Sequence, residues 1–269
     1  MIKSCPELEP FVLLGPHHHE TIDFGNPAGV KALNRALLFT YYGITWWDFP
    51  DSNLCPPIPG RADYVHYVAD LLPSGPRHRV LDIGVGANCI YSILGHRIYG
   101  WDMVGSDIDE ASLKAAKKIV GANSTLDGHI ELRYQPNPLN IFSGIIEPGE
   151  HFHLTICNPP FYSSAAEAQQ NHQLRLKKQG LDQKKHPKGN FGGQSTELWC
   201  PGGELSFIQR MIKQSSDFPR QCSWFTTLVS KSEHLKELEK SLAHFKAKVW
   251  KVIPMAQGQK TSRILAWHF

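Results

Sequence analysis

The residues Asn158-Pro159-Pro160-Phe161 have types and spacing suited to chemistry on an amino group. They follow the apolar run 152–157, which predicts a buried strand. Two successive prolines have no N–H to donate to a strand ladder, so the chain must turn at the carboxyl end of that strand, where open α/β sheets bind their ligands. The turn would fix two oxygen acceptors, the Asn158 carboxamide and the Pro159 carbonyl, beside the flat ring of Phe161.

This set favours methyl transfer to the exocyclic amino group of adenine, with Asn158, Pro159 and Phe161 as the predicted catalytic residues. The amino nitrogen is a poor nucleophile because its lone pair is delocalised into the ring. Two acceptors for its hydrogens would favour a pyramidal nitrogen, and stacking on Phe161 would hold the base in line, so no strong general base is required. An isolated Asn-Pro-Pro is equally compatible with a proline-rich turn after a core strand.

A second group of residues indicates a nucleoside cofactor. Gly84 and Gly86 lie in a tight turn between a predicted strand, 79–83, and a helix; glycines let a ligand approach the backbone, and a helix N-terminus favours an anion. Asp107 ends the next predicted strand, where an acid accepts hydrogen bonds from ribose hydroxyls. Cys89 occupies the position at which the dinucleotide fingerprint requires a third glycine, so a pyrophosphate cradle is disfavoured.

The same turn favours S-adenosylmethionine as that cofactor. Asp82 lies two residues before the first glycine and could accept a hydrogen bond from the methionine ammonium. Asn88 could bind the methionine carboxylate, although a simple role as a helix N-cap is equally compatible with its position.

The elements that must position these residues form an α/β pattern. From residue 79 onward, predicted strands and helices alternate, which indicates a parallel sheet with right-handed crossovers. The last two strands, at 248–253 and 264–269, are joined by so short a loop that they must be antiparallel. We predict a methyltransferase domain at residues 76–269, preceded by a helical cap at residues 1–75.

The cap contains two predicted helices. Residues 1–25 show no regular pattern. The first helix is capped by Asn26, has Pro27 in its first turn and ends at Gly43. The second spans 62–72 and follows 55–60, a proline-rich segment that we expect to be extended.

A polar insertion at 163–200 follows the Asn-Pro-Pro-Phe motif. It is too long for an ordinary connection, which suggests a functional loop. Its positive charges are candidates for contact with RNA phosphates, and a merely solvated charged surface is an equal alternative. The positive residues are Arg175, Lys177, Lys178, Lys184, Lys185 and Lys188, and the first five are the candidates for RNA contact.

The amino-acid composition excludes few classes of protein. The chain has 269 residues, 41% hydrophobic and 20% charged, which is ordinary for a soluble globular protein. Its net charge of +3 is compatible with an RNA partner without requiring one. The six cysteines form no C-x-x-C pair, which favours reduced thiols and a cytoplasmic location. The sequence predicts neither a membrane segment nor a metal site.

Four motifs together closely resemble the bacterial large-subunit (23S) ribosomal RNA adenine-N6 methyltransferases, to which a eukaryotic small nuclear RNA methyltransferase is related. The similarity covers nearly the whole chain. Asn-Pro-Pro-Phe alone is shared with many amino-group methyltransferases, whereas its combination with the Asn-Phe-Gly-Gly motif is far more specific. The motifs are Asp82-Ile83-Gly84-Val85-Gly86-Ala87-Asn88, Cys157-Asn158-Pro159-Pro160-Phe161, Asn190-Phe191-Gly192-Gly193-Gln194 and Gly202-Gly203-Glu204.

The resemblance implies a Rossmann-like, seven-stranded class I methyltransferase sheet. It also implies S-adenosylmethionine as donor, S-adenosylhomocysteine as product and one adenine of structured ribosomal RNA as acceptor. Arg61 should reach the cofactor from the cap helix, beside Gly84, Asn88 and Asp107. Further candidates for contact with the RNA are Pro160, Tyr162, Asn190, Gly192 and Gly193.

Family members also carry a basic segment upstream of the part that aligns with Pro6-Glu7-Leu8, close to where this chain begins. Part of the family's RNA-binding surface would then be missing, so we expect this chain to bind RNA more weakly than its relatives while its active site is intact.

Three alternatives remain open at this point. A protein glutamine-N5 methyltransferase uses a similar Asn-Pro-Pro turn, often followed by tyrosine, whereas Phe161 and the basic insertion favour a nucleobase. The acceptor could also be a small nuclear RNA. A non-catalytic RNA-binding protein should have damaged cofactor or acceptor motifs, and both are intact here. We infer no obligate protein partner.

Overall fold

A computed structural model describes residues 1–15, 18–75, 77–178, 195–257 and 260–269. The strands in these ranges are β1 (Val12–Leu14), β2 (Glu20–Ile22), β3 (Arg79–Ile83), β4 (Asp102–Asp107), β5 (Ile130–Tyr134), β6 (Phe152–Cys157), β7 (Cys222–Val229), β8 (Val249–Gln257) and β9 (Lys260–His268). The α-helices are α1 (Pro27–Tyr42), α2 (Ile58–Ala69), α3 (Ile90–Tyr99), α4 (Glu110–Gly121), α5 (Ala165–Lys178), α6 (Ser195–Leu198), α7 (Gly203–Ser215) and α8 (Leu235–His244).

Seven of these strands form one sheet, in the order β5-β4-β3-β6-β7-β9-β8. The first five strands of this order are parallel, and β9 pairs antiparallel with both β7 and β8. The predicted Rossmann-like class I sheet and its final antiparallel pair are therefore confirmed.

The register of the central strands brings their carboxyl ends to one level. Ile83, at the end of β3, lies opposite Ser106 of β4 and opposite Cys157 of β6. The residues that follow these three positions therefore emerge side by side at one edge of the sheet.

Side chains of the sheet contribute to two buried clusters, because successive residues of a strand face opposite sides. In β3, Val80 belongs to a cluster formed with α2, α3 and α4, whereas Leu81 and Ile83 pack with α7 and α8. Helices thus cover both faces of the sheet.

The first cap helix follows its sequence signals closely. The Asn26 carboxamide accepts hydrogen bonds from the backbone N–H groups of Ala28 and Gly29 at the start of α1. Gly43 ends the helix with a φ of 66°, a left-handed conformation that glycine adopts without strain.

The second cap helix begins earlier than predicted. Helix α2 starts at Ile58, within the segment expected to be extended, because a proline in the first turn removes an N–H that has no acceptor inside the helix. Tyr64, Val65 and Val68 of α2 are fully buried in the same cluster as α3. The cap thus shares a core with the sheet, and the division of the chain at residue 75 stays a prediction.

Two further expectations need correction. Residues 1–25 are not irregular throughout, since β1 and β2 form an antiparallel hairpin, and Leu8 and Ile22 pack with Ala36 of α1. The insertion is not a loop throughout, because it begins with α5 and ends with α6. Lys184, Lys185, Asn190, Gly192 and Gly193, and the side chains of Arg175, Lys177 and Lys178, lie outside the described residues.

A partly buried ion-pair group outside the site gives a prediction on stability. Glu150 accepts hydrogen bonds of 2.7–2.8 Å from Arg133 and one of 2.7 Å from Arg79. The Arg133 hydrogen bonds lower the pKa of Glu150 to about 2. The free energy of unfolding should therefore fall by about 1–2 kcal/mol in Glu150→Gln at pH 7, as measured by urea denaturation.

The sign of the pH dependence is fixed by this lowered pKa. The folded state favours the ionised carboxylate, so the stabilisation is present above about pH 4.5 and is lost as the pH falls through about 2. Wild type and Glu150→Gln should converge in stability at acid pH. Glu237→Gln, which removes an exposed pair with Lys240, is the control and should change stability by less than about 0.5 kcal/mol. Equal losses in the two variants would contradict the prediction.

Candidate active site

A cavity of about 540 Å³ opens where β3, β4 and β6 end. It brings together residues that are far apart in the chain, from the cap, the glycine turn and the Asn-Pro-Pro-Phe motif. The sequence-predicted residues in its wall are Arg61, Gly84, Gly86, Asn88, Asp107, Asn158 and Pro160.

The glycine turn is hydrogen-bonded to Asp107, at the end of the neighbouring strand β4. Gly84 and Gly86 have φ values of 74° and 64°, which side-chain-bearing residues rarely adopt. The Gly86 N–H donates to Asp107 Oδ2 over 2.9 Å, and the Asp109 N–H donates to Oδ1 over 2.9 Å. Each oxygen keeps a free lone pair, so Asp107 can brace the turn and still accept hydrogen bonds from a ligand.

The environment of Asp107 raises its pKa to about 6. Burial is the main cause, and the nearby carboxylates of Asp109 and Glu197 add to it, whereas the two backbone N–H donors oppose the shift. Asp107 is therefore an ionised acceptor at neutral pH. An acid at this position, beside a turn of exposed backbone, fits the ribose of a nucleoside cofactor.

Asp82 lies behind the turn and does not line the cavity. It is fully buried and accepts hydrogen bonds at Oδ2 from the backbone N–H and the hydroxyl of Ser92 in α3, over 3.1 and 2.9 Å. Burial raises its pKa to about 7. Asp82 Oδ1 is buried without a hydrogen-bond partner among the described residues, and the contact with a methionine ammonium that the sequence suggests stays a prediction.

Arg61 and Asn88 join the cap to the start of α3. Arg61 Nη1 donates to the Tyr91 hydroxyl over 2.8 Å, and burial raises the pKa of Tyr91 to about 12. Asn88 Oδ1 accepts from the Ile90 N–H over 3.1 Å, and its Nδ2 donates to the Leu54 carbonyl over 3.1 Å. The N-cap residue of α3 is Cys89, so Asn88 is not a simple N-cap; it accepts a hydrogen bond from the first residue of the helix and also lines the cavity.

The strand end before Asn158 is fixed by a tyrosine of the cap helix. The Tyr64 hydroxyl accepts from the Cys157 N–H over 3.3 Å and lies 2.8 Å from Thr226 Oγ1 of β7. Asn158 Oδ1 is buried and has no hydrogen-bond partner among the described residues. The motif thus presents a rigid, free acceptor at the cavity wall.

The backbone of residues 161 and 162 is hydrogen-bonded to the end of the insertion. The N–H groups of Phe161 and Tyr162 both donate to the Leu198 carbonyl, over 3.1 and 3.0 Å, and the Cys200 N–H donates to the Tyr162 carbonyl over 3.0 Å. Pro159, Phe161 and Tyr162 flank the cavity and are not part of its lining. The stacking role of Phe161 stays a prediction.

Several cavity residues escaped the sequence reasoning, because their positions follow no motif spacing around the cofactor turn. Glu197 is one of them, and it accepts hydrogen bonds from the Leu54 N–H over 3.0 Å and from Asn53 over 3.3 Å. The only available signal for Glu197, Trp199 and Cys200 was their proximity to the Gly202-Gly203-Glu204 motif. The missed residues include Gln135, Glu197, Trp199, Cys200 and Arg210.

The described residues contain no group of three or more His, Cys, Asp or Glu side chains placed to hold a metal ion. No helix among them is both long and apolar enough to cross a membrane.

Known proteins resemble this chain over its whole length. A family model described as RNA methyltransferase matches residues 1–269. Ribosomal RNA large subunit methyltransferase F of Aeromonas salmonicida is 54% identical over 271 residues, which cover 98% of this chain and 85% of the relative. The protein of the same name from Bacteroides thetaiotaomicron is 50% identical, with 100% of this chain and 92% of the relative covered.

Solved structures also resemble this chain in fold. The catalytic domain of hMettl16 in complex with the MAT2A 3′UTR hairpin 1 matches with a TM-score of 0.82 and 28% identity, covering 98% of this chain and 88% of that one. The N-terminal domain of human METTL16 in complex with SAH matches with a TM-score of 0.78 and 25% identity, covering 99% and 92%. The resemblance drawn from the motifs is confirmed, and the chain belongs to the RNA methyltransferase family.

Proposed function

We propose that this protein transfers a methyl group from S-adenosylmethionine to the N6 amino group of one adenine in 23S ribosomal RNA. The observation that supports this most is the free acceptor Asn158 Oδ1 in the same cavity as the glycine turn and Asp107. The names of the curated relatives support the ribosomal substrate, and the SAH complex of human METTL16 supports the donor. Such a substrate places the activity in the cytoplasm, and the proposal includes no metal ion or protein partner.

The cofactor side of the cavity is proposed to be Gly84, Gly86 and Asp107, with Arg61 and Asn88 at the cap. Asp107 would accept hydrogen bonds from the ribose hydroxyls, and the glycines would let the ligand lie against the backbone. When bound, S-adenosylmethionine supplies a methyl group activated by its positively charged sulfur.

The acceptor side is proposed to be Asn158, Pro159 and Phe161. Asn158 Oδ1 and the Pro159 carbonyl would each accept one N6 hydrogen, which concentrates the lone pair on the nitrogen. Phe161 would stack on the base after it has left its helix, at an unstacking cost of roughly a few kcal/mol. Asn158 only accepts a hydrogen bond, so the proton displaced from the nitrogen leaves to water.

The experiment that tests this function is transfer of a tritiated methyl group to RNA isolated from cells that lack the protein. We expect one labelled adenine in 23S ribosomal RNA, located by nuclease mapping. Parallel reactions contain small nuclear RNA and a release factor protein. Label in the protein would favour the glutamine methyltransferase alternative, and no label in ribosomal RNA would reject the proposal.

The basic insertion is proposed to contact RNA phosphates. Replacing Lys177, Lys178, Lys184 and Lys185 by glutamine should weaken RNA binding and lower the salt dependence of the affinity by about 3 units of logarithmic slope, because fewer counterions are released. Fluorescence titration at several salt concentrations measures this slope.

A matched control removes the same charge from another part of the chain. Lys236, Lys240, Lys246 and Lys248 are all exposed, in or near α8 and β8. Their replacement by glutamine should change the slope less than the insertion variant does. Equal slopes in the two variants would show that the insertion is a solvated surface that does not contact RNA phosphates.

A further inference from the structure

Trp199 lines the cavity and has no role in the reaction proposed above. It lies in the wall of the same cavity as Asn158, and its indole Nε1 is buried without a hydrogen-bond partner among the described residues. An indole N–H can only donate a hydrogen bond. A buried donor that faces a ligand cavity is costly unless a ligand satisfies it.

The backbone fixes Trp199 beside the acceptor motif. Trp199 forms a parallel bridge with Tyr162, and its neighbours Leu198 and Cys200 hydrogen-bond to residues 161 and 162 over 3.0–3.1 Å. The indole and the Asn158 carboxamide are therefore held on a short, paired piece of backbone instead of on independent loops.

Asn158 Oδ1 and Trp199 Nε1, two of the unsatisfied atoms on the described residues of the cavity wall, complement one edge of adenine. Asn158 Oδ1 is an acceptor and Trp199 Nε1 is a donor. Adenine presents its N6 hydrogens next to a ring nitrogen that accepts, N7 on one edge or N1 on the other. Guanine has an oxygen acceptor at the corresponding position, so it would leave the Asn158 oxygen facing another acceptor.

We propose that Trp199 determines base specificity by donating its indole N–H to the ring nitrogen next to N6 of the target adenine. The contact orients the base so that N6 meets Asn158. This inference rests on the proposed function, because it assumes an adenine acceptor. It assigns Trp199 to the RNA base and not to the cofactor.

The first test is Trp199→Phe, which removes the N–H and keeps an aromatic ring. We expect kcat/KM for the target RNA to fall about tenfold, as for a lost hydrogen bond to a buried group, with an unchanged cofactor affinity by calorimetry. Trp250→Phe, which removes a partly exposed indole from β8, is the control and should keep wild-type kcat/KM. Wild-type kcat/KM in Trp199→Phe would overturn the inference.

The second test changes the base. Target RNAs carry 1-deazaadenosine or 7-deazaadenosine at the methylated position, which replaces one ring nitrogen by C–H. The wild-type enzyme should lose about tenfold on one of the two, and Trp199→Phe should lose nothing further on that RNA. Additive losses, or no loss by the wild-type enzyme on either RNA, would overturn the inference even if the variant folds poorly.

These outcomes separate the two proposals. A wild-type enzyme that methylates no adenine in RNA rejects the proposed function and this inference with it. A wild-type enzyme that methylates adenine, with Trp199→Phe unaffected, rejects the role of Trp199 alone.

Discussion

Asn158→Ala should lower the rate of methyl transfer by about 10³-fold while cofactor affinity stays within about twofold of wild type. The lost carboxamide oxygen is buried in the cavity wall without a partner among the described residues, and we propose that it faces the amino group as that group gains positive charge during transfer. The strand end that carries it is clamped by Tyr64, so the truncation should leave the surrounding backbone in place. Single-turnover transfer of tritiated methyl measures the rate, and calorimetry measures the affinity.

Two conservative variants make this prediction specific. Asn158→Asp keeps an oxygen at the same distance from the backbone and should retain more activity than Asn158→Ala. Asn158→Gln moves the oxygen by one methylene and should behave like Asn158→Ala, because placed dipoles act only at the correct distance. Full activity in Asn158→Ala would show that the carboxamide has no part in the reaction.

The sheet could be predicted largely from the sequence because its strands are short apolar runs separated by clear breaks. The predicted strands 79–83 and 152–157 agree with β3 and β6. Ligand positions at the carboxyl ends of parallel strands follow from this topology, which is why the residues proposed around Gly84, Asp107 and Asn158 share one cavity.

The contacts that complete the site could not be predicted in the same way. Tyr64 lies inside the predicted helix 62–72 and belongs to no motif, and only the fold brings its hydroxyl to Cys157, 93 positions further along the chain. Glu197 and Trp199 belong to an insertion without hydrophobic periodicity. Asp82 was placed at the cofactor from its spacing to Gly84; strand alternation buries its side chain outside the cavity lining, and its contact with the cofactor stays a prediction. Spacing along a chain fixes backbone positions better than it fixes where a side chain points.

Asp107→Ala should weaken S-adenosylmethionine binding by about 100-fold. The variant loses the proposed acceptor for the ribose hydroxyls and also the acceptor that holds the Gly86 N–H, and each hydrogen bond to a charged group contributes about 1.5–3 kcal/mol. Calorimetric titration measures the affinity, and an unchanged value would contradict the cofactor role. Asp107→Asn keeps one oxygen acceptor and should lose less affinity.

The raised pKa of Asp107 adds a pH dependence with a definite sign. Because this pKa is about 6, the carboxylate gains a proton as the pH falls through 6, and wild-type affinity for the cofactor should fall below that pH.

The same pKa affects folding stability. Folded protein binds this proton more tightly than unfolded protein, whose Asp has a pKa near 3.8, so the contribution of Asp107 to stability decreases as the pH rises from about 4 to about 6. Asp107→Asn cannot titrate, and it should therefore show a flatter affinity profile and gain stability relative to wild type over that interval. Asp82 does not line the cavity; burial raises its pKa to about 7 and the charge of Asp107 adds to the shift, so the pKa of Asp82 should be lower in Asp107→Asn than in wild type. Identical pH profiles for wild type and Asp107→Asn would show that residue 107 is not the acceptor that titrates with cofactor binding.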